Sequence, residues 1–492
     1  MTELLALVCD TLLSVLRDQV DGSFTALDPD APLTRYGMDS LATVEAAVRL
    51  ERATGRKIPP DLLAQTPTAR AVARLLADEP VHDPIAENGN AAPAAKSTPF
   101  RQRMEQAMER IDQLRATDRY PYHPVTTAVE PGRVTIGGKR MVMLGSFEYL
   151  GLGDDPRILE AHAAALRRFG SGSRGAQVGT GRTSLHEVFE ERVAAMFGAE
   201  SAILFSTGYL ACLAPIGAVV GVGDFVIGDA LNHACIVDGC RLAGARFQSF
   251  AHNDVAALAR LLCENPSAHS LVIAEGIYSM DGDLGRIPEI AELCRRHGAM
   301  LMVDEAHSLG VVGSTGRGVA EHYGLGGDAI DLKVGTLSKS FGGIGGFVAG
   351  RRGLMDYLRH HARGYVFCAA LPAPNVAASL AALDVLAREP WRVERLQANA
   401  RRWRDGLRAL GYDTFTSETP IVPVRMPDET TAFEFTHRCK ERGVFVVPVV
   451  FPAVPQNAPR LRTCMTAGLS DDDISQAIEV FAAVGRELGM IG

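Results

Sequence analysis

Apolar residues at helical spacing open the chain. Leu4, Leu5, Val8, Leu12, Leu13, Val15 and Leu16 recur at intervals that line one face of a helix. A polar, proline-containing stretch from Asp18 to Tyr36 follows, and Leu41, Val44, Ala47, Val48 and Leu50 then mark a second helix. TPTARAVARLLAD starts another, with Thr66 and Thr68 around Pro67 as candidate N-caps. Residues 80–99 hold Ala, Pro and Asn with almost no large apolar side chain, which predicts a flexible linker. From Phe100 onward the texture changes. An amphipathic helix over roughly 100–116 leads into short apolar runs: SAILFS, DFVIGD, SLVIAEG, AMLMVDE and DLKVGTL. Each ends in a Gly-rich or polar turn, usually followed by a helical pattern. Strands alternating with helices predict an α/β domain with a mostly parallel sheet, over about 150–370. From about 375 to 492, a long helix, the short strands IVPVRM, VFVVPVV and RLRTCMT, and a closing helix predict a smaller α+β lobe.

Length agrees with this multidomain division, since 492 residues exceed what one hydrophobic core normally serves. A net charge of −8 argues against a large nucleic-acid footprint. The nine cysteines are scattered without a CxxC pair or a Cys/His metal spacing, which predicts a reducing compartment and no metal. No basic-then-apolar signal pattern opens the chain and no apolar run approaches about 18 residues, so the expectation is a cytoplasmic protein without a membrane span.

Within the first helical unit one serine stands out, in Gly37-Met38-Asp39-Ser40-Leu41. From Asp-Ser-Leu alone, Ser40 is equally a helix N-cap. The unit around it is short, helical and acidic, with twelve Asp/Glu against eight Lys/Arg over residues 1–80. With Leu33 at the usual offset, residues 1–79 resemble an acyl carrier protein, an all-α four-helix bundle. The resemblance implies that Ser40 carries a 4′-phosphopantetheine arm, installed by a phosphopantetheinyl transferase and charged by an acyl-loading enzyme. A helix start suits a phosphodiester, and an acidic face suits docking to basic partners.

In the larger region, three groups of residues fall at the ends of predicted strands, the edge where open parallel sheets bind ligands. LMVDEAHSLG ends a buried strand in Asp304, with His307 three residues on; the pair is functional or a structural hydrogen-bonded couple. VGTLSKSFGGIGGFVAG sets Lys339 among small and hydroxyl residues, including Thr336, without the Gly-Lys-Ser/Thr order of a Walker A loop. In FSTGYLA, Ser206, Thr207 and Gly208 open a helix whose amides could hold an anion. A lysine, a carboxylate thirty-five residues before it and two phosphate-friendly segments together make a parts list for pyridoxal phosphate.

Residues 100–492 then resemble the α-oxoamine synthases, through GTGRTSLHEVFEERVAAMFG, DALNHACIVDGCRLAGA, EGIYSMDGDLGRIPEI, MVDEAHSLGVVGSTGRGVAE, GTLSKSFGGIGGFVAG and RLRTCMTAG. The resemblance implies the type I fold of pyridoxal phosphate enzymes and a homodimer. It implies that Lys339 carries the cofactor and then removes the substrate α-proton. Asp304 would pair with the ring nitrogen, and His307 and Ser279 would lie near the phenolic oxygen. His233 would stack on the ring, Thr207, Gly208 and Tyr209 would line the cofactor site, and Thr336 would bind phosphate. Arg462 would clamp the substrate carboxylate. The implied reaction condenses an amino acid with an acyl thioester, releasing carbon dioxide and thiol and giving an α-amino ketone. Phe147 stands where relatives often carry Asn or Tyr, Glu148 where they carry Asn or Asp, and Cys368, Ala369 and Ala370 where they carry hydroxyls. Fusion to a carrier makes an acyl chain on Ser40 the expected electrophile, in natural-product biosynthesis. An aminotransferase or aldolase acting on a carrier-linked substrate, or a non-catalytic docking protein with a silent synthase domain, are the alternatives.

Overall fold

Residues 2–19, 25–31, 33–36, 40–55, 68–77, 99–265 and 269–492 are described by the structure, a computed structural model. The chain divides into two units, Met1–Met104 and Glu105–Gly492. In the first, helices Thr2–Gln19, Ser40–Thr54 and Ala69–Leu76 and a 3₁₀ turn, Leu33–Tyr36, are described. Val8, Leu12, Val15, Leu33, Ala47, Leu50, Val72 and Leu76 form one buried cluster, the periodic positions meeting as an apolar stripe must. Of the two candidate caps, Thr68 is extended and its hydroxyl accepts the Ala71 amide at 3.2 Å. Arg70 forks onto Asp30 at 2.6 and 2.8 Å, tying that helix to the segment at 25–31 before the 3₁₀ turn. Ser40 is the first residue of its helix. Its side chain, Thr66 and nearly all of the predicted linker lie outside the described residues, and three of the four helices implied for a carrier bundle lie within them.

The second unit is built on seven strands: β4 (Ser201–Phe205), β5 (Phe225–Asp229), β6 (Arg246–Phe250), β7 (Ser270–Glu275), β8 (Met300–Asp304), β9 (Leu332–Thr336) and β10 (Gly346–Gly350). Their order is β4-β10-β9-β8-β7-β5-β6. Only β10 opposes the others, pairing antiparallel with both β4 and β9. Apart from the edge strand β6, which is largely exposed, the strands are buried along their length because both faces are covered. Along β7, Leu271 and Ile273 join one core cluster while Val272 and Ala274 join another. Helices such as Ser184–Phe197 and Ala373–Arg388 pack on one part of the sheet, and Val255–Glu264 and Ile287–His297 on another. This is the mixed α/β sheet of the type I fold.

The C-terminal lobe has a three-stranded antiparallel sheet, β11 (Ile421–Arg425), β14 (Arg460–Cys464) and β13 (Val447–Val449) in that order. Two details differ from the sequence reading. The long helix expected from about 375 is two, Ala373–Arg388 and Trp391–Ala409, because Pro390 cannot continue a helix and instead caps the second. Three strands precede the large sheet, β1 (Thr126–Glu130), β2 (Arg133–Ile136) and β3 (Lys139–Met143). β3 pairs in parallel with β12 (Val444–Phe445), so this early segment builds onto the C-terminal lobe.

Candidate active site

With β10 alone reversed, β4, β5, β7, β8 and β9 deliver their carboxyl ends to one edge of the sheet. A cavity of about 320 Å³ lies there. Asp304 ends β8, Glu275 ends β7 directly opposite it in register, and Thr336 ends β9 three residues before Lys339. Thr207, Gly208, Tyr209, His233, Asp304, His307, Thr336 and Lys339 all line this cavity, so eight of the predicted positions converge. Ser279 is buried on the loop after β7 and is not among the lining residues. Arg462, on β14, is not a lining residue either, yet its guanidinium lies over the Phe147 ring at 4.3 Å.

Each group is held by local chemistry. Burial pushes the Lys339 ammonium down to about 8, against the pull of the carboxylates of Asp304 and Glu275. Its Nζ lies 5.9 Å from the centre of the Phe147 ring. One Asp304 oxygen accepts the Ala306 amide at 2.9 Å, an Asx turn that fixes the carboxylate at the strand end. His307 is buried, and burial together with Lys339 and Arg462 holds its imidazole well below the ordinary range, hence neutral. Its Nδ1 lies 2.7 Å from the Tyr149 hydroxyl, and Phe147 meets its ring edge-on at 5.3 Å. His233 caps helix Ala234–Ala243, its Nδ1 accepting the Cys235 amide at 3.3 Å. The Cys235 sulfur, 3.0 Å from the same nitrogen, is the main cause of the upward shift of His233.

The opposite end of the cavity is cationic by dipole rather than by side chain. Thr207 caps helix Gly208–Val219, accepting the Leu210 amide at 3.2 Å, so that helix starts at the cavity wall. The Thr336 and Ser338 hydroxyls lie 2.8 Å apart across from it. Glycine is required at 208, since a Cβ there would stand 2.5 Å from the Thr336 hydroxyl oxygen. Among the described residues, the only polar contact of the Arg462 guanidinium is the Met280 sulfur, at 3.8 Å. Glu148 accepts the Gly153 amide, and Cys368 lies 3.2 Å from the Ser206 hydroxyl.

Residues 139–481 match the family of class I and II aminotransferases, and residues 6–76 match the phosphopantetheine attachment site. The 8-amino-7-oxononanoate synthase of Symbiobacterium thermophilum is 41% identical over 374 residues, 75% of this chain and 95% of that protein. The serine palmitoyltransferase of Bacteriovorax stolpii is 38% identical over 377 residues, 76% and 90% of the two chains. Among solved structures, the Sphingomonas wittichii serine palmitoyltransferase superposes with a TM-score of 0.77 at 36% identity, over 80% of this chain and all of that one. The chain belongs to the α-oxoamine synthase family. It carries in addition an N-terminal carrier domain.

As an α-oxoamine synthase the chain is a pyridoxal phosphate-dependent C-acyltransferase, and the donor set suits that cofactor. A helix N-terminus with two facing hydroxyls fits a phosphate, a strand-end carboxylate fits a protonated ring nitrogen, and a desolvated lysine fits an aldehyde. The sequence reading named Ser338 only among the hydroxyls around Lys339 that could hold a phosphate, and it did not single out Glu275 or Tyr149. Glu275 closes an apolar strand as Asp304 does, a signal that was present. Burial, with the Asp304 charge beside it, holds its carboxyl well above the usual range, and it accepts the His233 amide.

Proposed function

We propose that this chain condenses an amino acid with an acyl group held on a phosphopantetheine arm at Ser40. A bond forms between the amino acid α-carbon and the acyl carbonyl carbon, the thiol leaves, and the amino acid carboxylate departs as carbon dioxide. The product is an α-amino ketone. The observation that carries this reading is a buried lysine, held near pKa 8, in one cavity with Asp304 and a neutral His307.

Pyridoxal phosphate, when bound, supplies an electron-accepting ring that stabilises negative charge on the substrate α-carbon. The chain does the rest. The amides at Gly208 and Tyr209 and the hydroxyls of Thr336 and Ser338 would hold its phosphate, and Asp304 would keep a proton on the ring nitrogen. His233 would cover one ring face, and neutral His307, positioned by Tyr149, would hydrogen-bond the phenolic oxygen. The Lys339 amine, with its proton affinity lowered by burial, takes the α-proton at neutral pH. Arg462, which has no carboxylate partner among the described residues, clamps the amino acid carboxylate in a two-pronged fork. Ser279, outside the lining residues, keeps only a supporting place in this scheme. Joining carrier and synthase in one chain raises the effective concentration of the thioester. The working form is a cytoplasmic homodimer, served by a phosphopantetheinyl transferase and an acyl-loading enzyme.

Loading Ser40 with defined acyl groups, adding amino acids singly and following the intact protein by mass spectrometry tests this. Acyl mass disappears from the arm and carbon dioxide is released when the right pair meets. Lys339→Ala retains the acyl group. Acyl groups that stay on Ser40 while free coenzyme A thioesters are consumed would overturn delivery by the carrier. Transfer of an amino group without carbon dioxide would overturn the reaction itself.

A further inference from the structure

Nine cysteines scattered along the sequence include two that the fold brings together. Cys212 sits in the first turns of helix Gly208–Val219 and Cys235 near the start of helix Ala234–Ala243. Both helices begin at the carboxyl edge of the sheet, beside Asp304. Cys212 is 1% exposed, Cys235 3% and Asp304 7%. Their two sulfurs and a carboxylate oxygen all lie within 4.8 Å of one another. Cys235 and Asp304 also line the cavity, which leaves a path from solvent and room for a further ligand. The reaction proposed above uses neither thiol.

We infer that, in the chain free of its cofactor, Cys212, Cys235 and Asp304 hold a soft divalent cation of the zinc or cadmium class. Two sulfurs and one oxygen are the donors such ions select. Zinc–sulfur bonds of about 2.3 Å put tetrahedral ligand atoms roughly 3.7 Å apart, so the three close on an ion by shifts of about 1 Å or less. Water from the cavity completes the fourth position. Binding breaks the S–H bond of each thiol that is protonated, forms two metal–sulfur bonds and releases those protons to solvent; no electrons change hands. Neither pair spacing nor motif announces the site, because Cys212 and Cys235 stand on different helices. Asp304 belongs to both the metal site and the proposed ring-nitrogen contact, so metal and cofactor exclude each other. That exclusion rests on the reading given under Proposed function, whereas the metal site itself does not.

The test uses the full chain stripped of pyridoxal phosphate and of metal, against zinc and against cobalt as a spectroscopic probe. Wild type retains one zinc per chain on equilibrium dialysis, and its cobalt form shows thiolate-to-metal charge-transfer absorption. Cys212→Ser and Cys235→Ser each lose both signals while still folding, as circular dichroism reports, and Cys263→Ser, at an exposed thiol, keeps them. With free zinc at about ten times its Kd, the apparent affinity for pyridoxal phosphate falls about elevenfold, and a chelator restores it. Zinc retention unchanged in both cysteine variants, or a cobalt spectrum without thiolate bands, overturns the metal site. Intact zinc binding with no effect on cofactor uptake leaves the metal site standing and overturns the role given to Asp304.

Discussion

Replacing Phe147 with leucine removes an aromatic face from beneath Arg462 while keeping most of the apolar bulk. The guanidinium carbon lies 4.3 Å from the ring centre, inside the roughly 6 Å range of a cation–π contact. The same ring meets His307 edge-on at 5.3 Å, so it braces two groups of the site together. Arg462 is anchored at its backbone, where β14 pairs with Pro423 on one side and Val447 on the other. Among the described residues its head, however, meets only the Met280 sulfur at 3.8 Å and this ring. At a half-buried position the contact is worth about 1 kcal/mol, which is about fivefold in binding. The assay is an absorbance titration of the cofactor-loaded chain with its amino acid, run beside steady-state kinetics. Phe147→Leu raises Kd and KM about fivefold and leaves kcat within about twofold, whereas Phe147→Tyr stays near wild type. The methyl ester of the amino acid, which lacks the carboxylate, binds both forms alike. Equal weakening of acid and ester would place the ring's effect elsewhere than on the guanidinium, and no weakening of either would refute the reasoning.

Three further outcomes follow from the same geometry. With Lys339 held near 8 by burial, about one amine in ten is unprotonated at pH 7, against about one in three thousand at the ordinary value of 10.5. Covalent uptake of pyridoxal phosphate by the stripped chain therefore rises about tenfold per pH unit below neutrality and levels off above about pH 8, as stopped-flow absorbance will show. Gly208→Ala places a Cβ 2.5 Å from the Thr336 hydroxyl oxygen, and a packing cost of about 1–3 kcal/mol weakens cofactor binding by roughly 5- to 150-fold in fluorescence titrations. Burial disfavours the His252 cation, but Asp229 and Asp283 on either side outweigh it and raise the group from 6.5 to about 10. A raised folded value stabilises the fold fully below about pH 6.5, and the gain is lost as pH climbs through about 10. The Tm difference between wild type and His252→Gln shrinks over that window, and a difference that does not vary with pH would sink the assignment of the charge.

What could be read from the sequence, and what could not, divides on whether the signal is local. Asp304, Thr336 and Lys339 each follow an apolar run, and Thr207 follows another, so their place at the carboxyl edge was legible from order alone. The order of strands was not. Glu275 ends its run in the same way, but only the register that sets it opposite Asp304 reveals two carboxylates side by side. The early strand β1 is solvent-exposed along its whole length, and without apolar alternation it left no mark in the pattern. Cys212 and Cys235 are separated by 23 positions and meet only because two helices start from neighbouring points of one sheet edge. The adjacency of Glu275 and Asp304 also has a consequence for the chemistry. Burial and the neighbouring charge raise the Glu275 carboxyl well above the usual range, opposing a second full negative charge beside the ring site, while its oxygen accepts the His233 amide. A Glu275→Gln change removes the charge and keeps the carbonyl acceptor, whereas Glu275→Asp withdraws the carboxyl from the amide. The structure therefore predicts that the glutamine variant binds cofactor nearly as wild type does and that the shorter acid, although chemically closer, binds it more weakly. The reverse order in a cofactor titration would show that Glu275 acts through its charge.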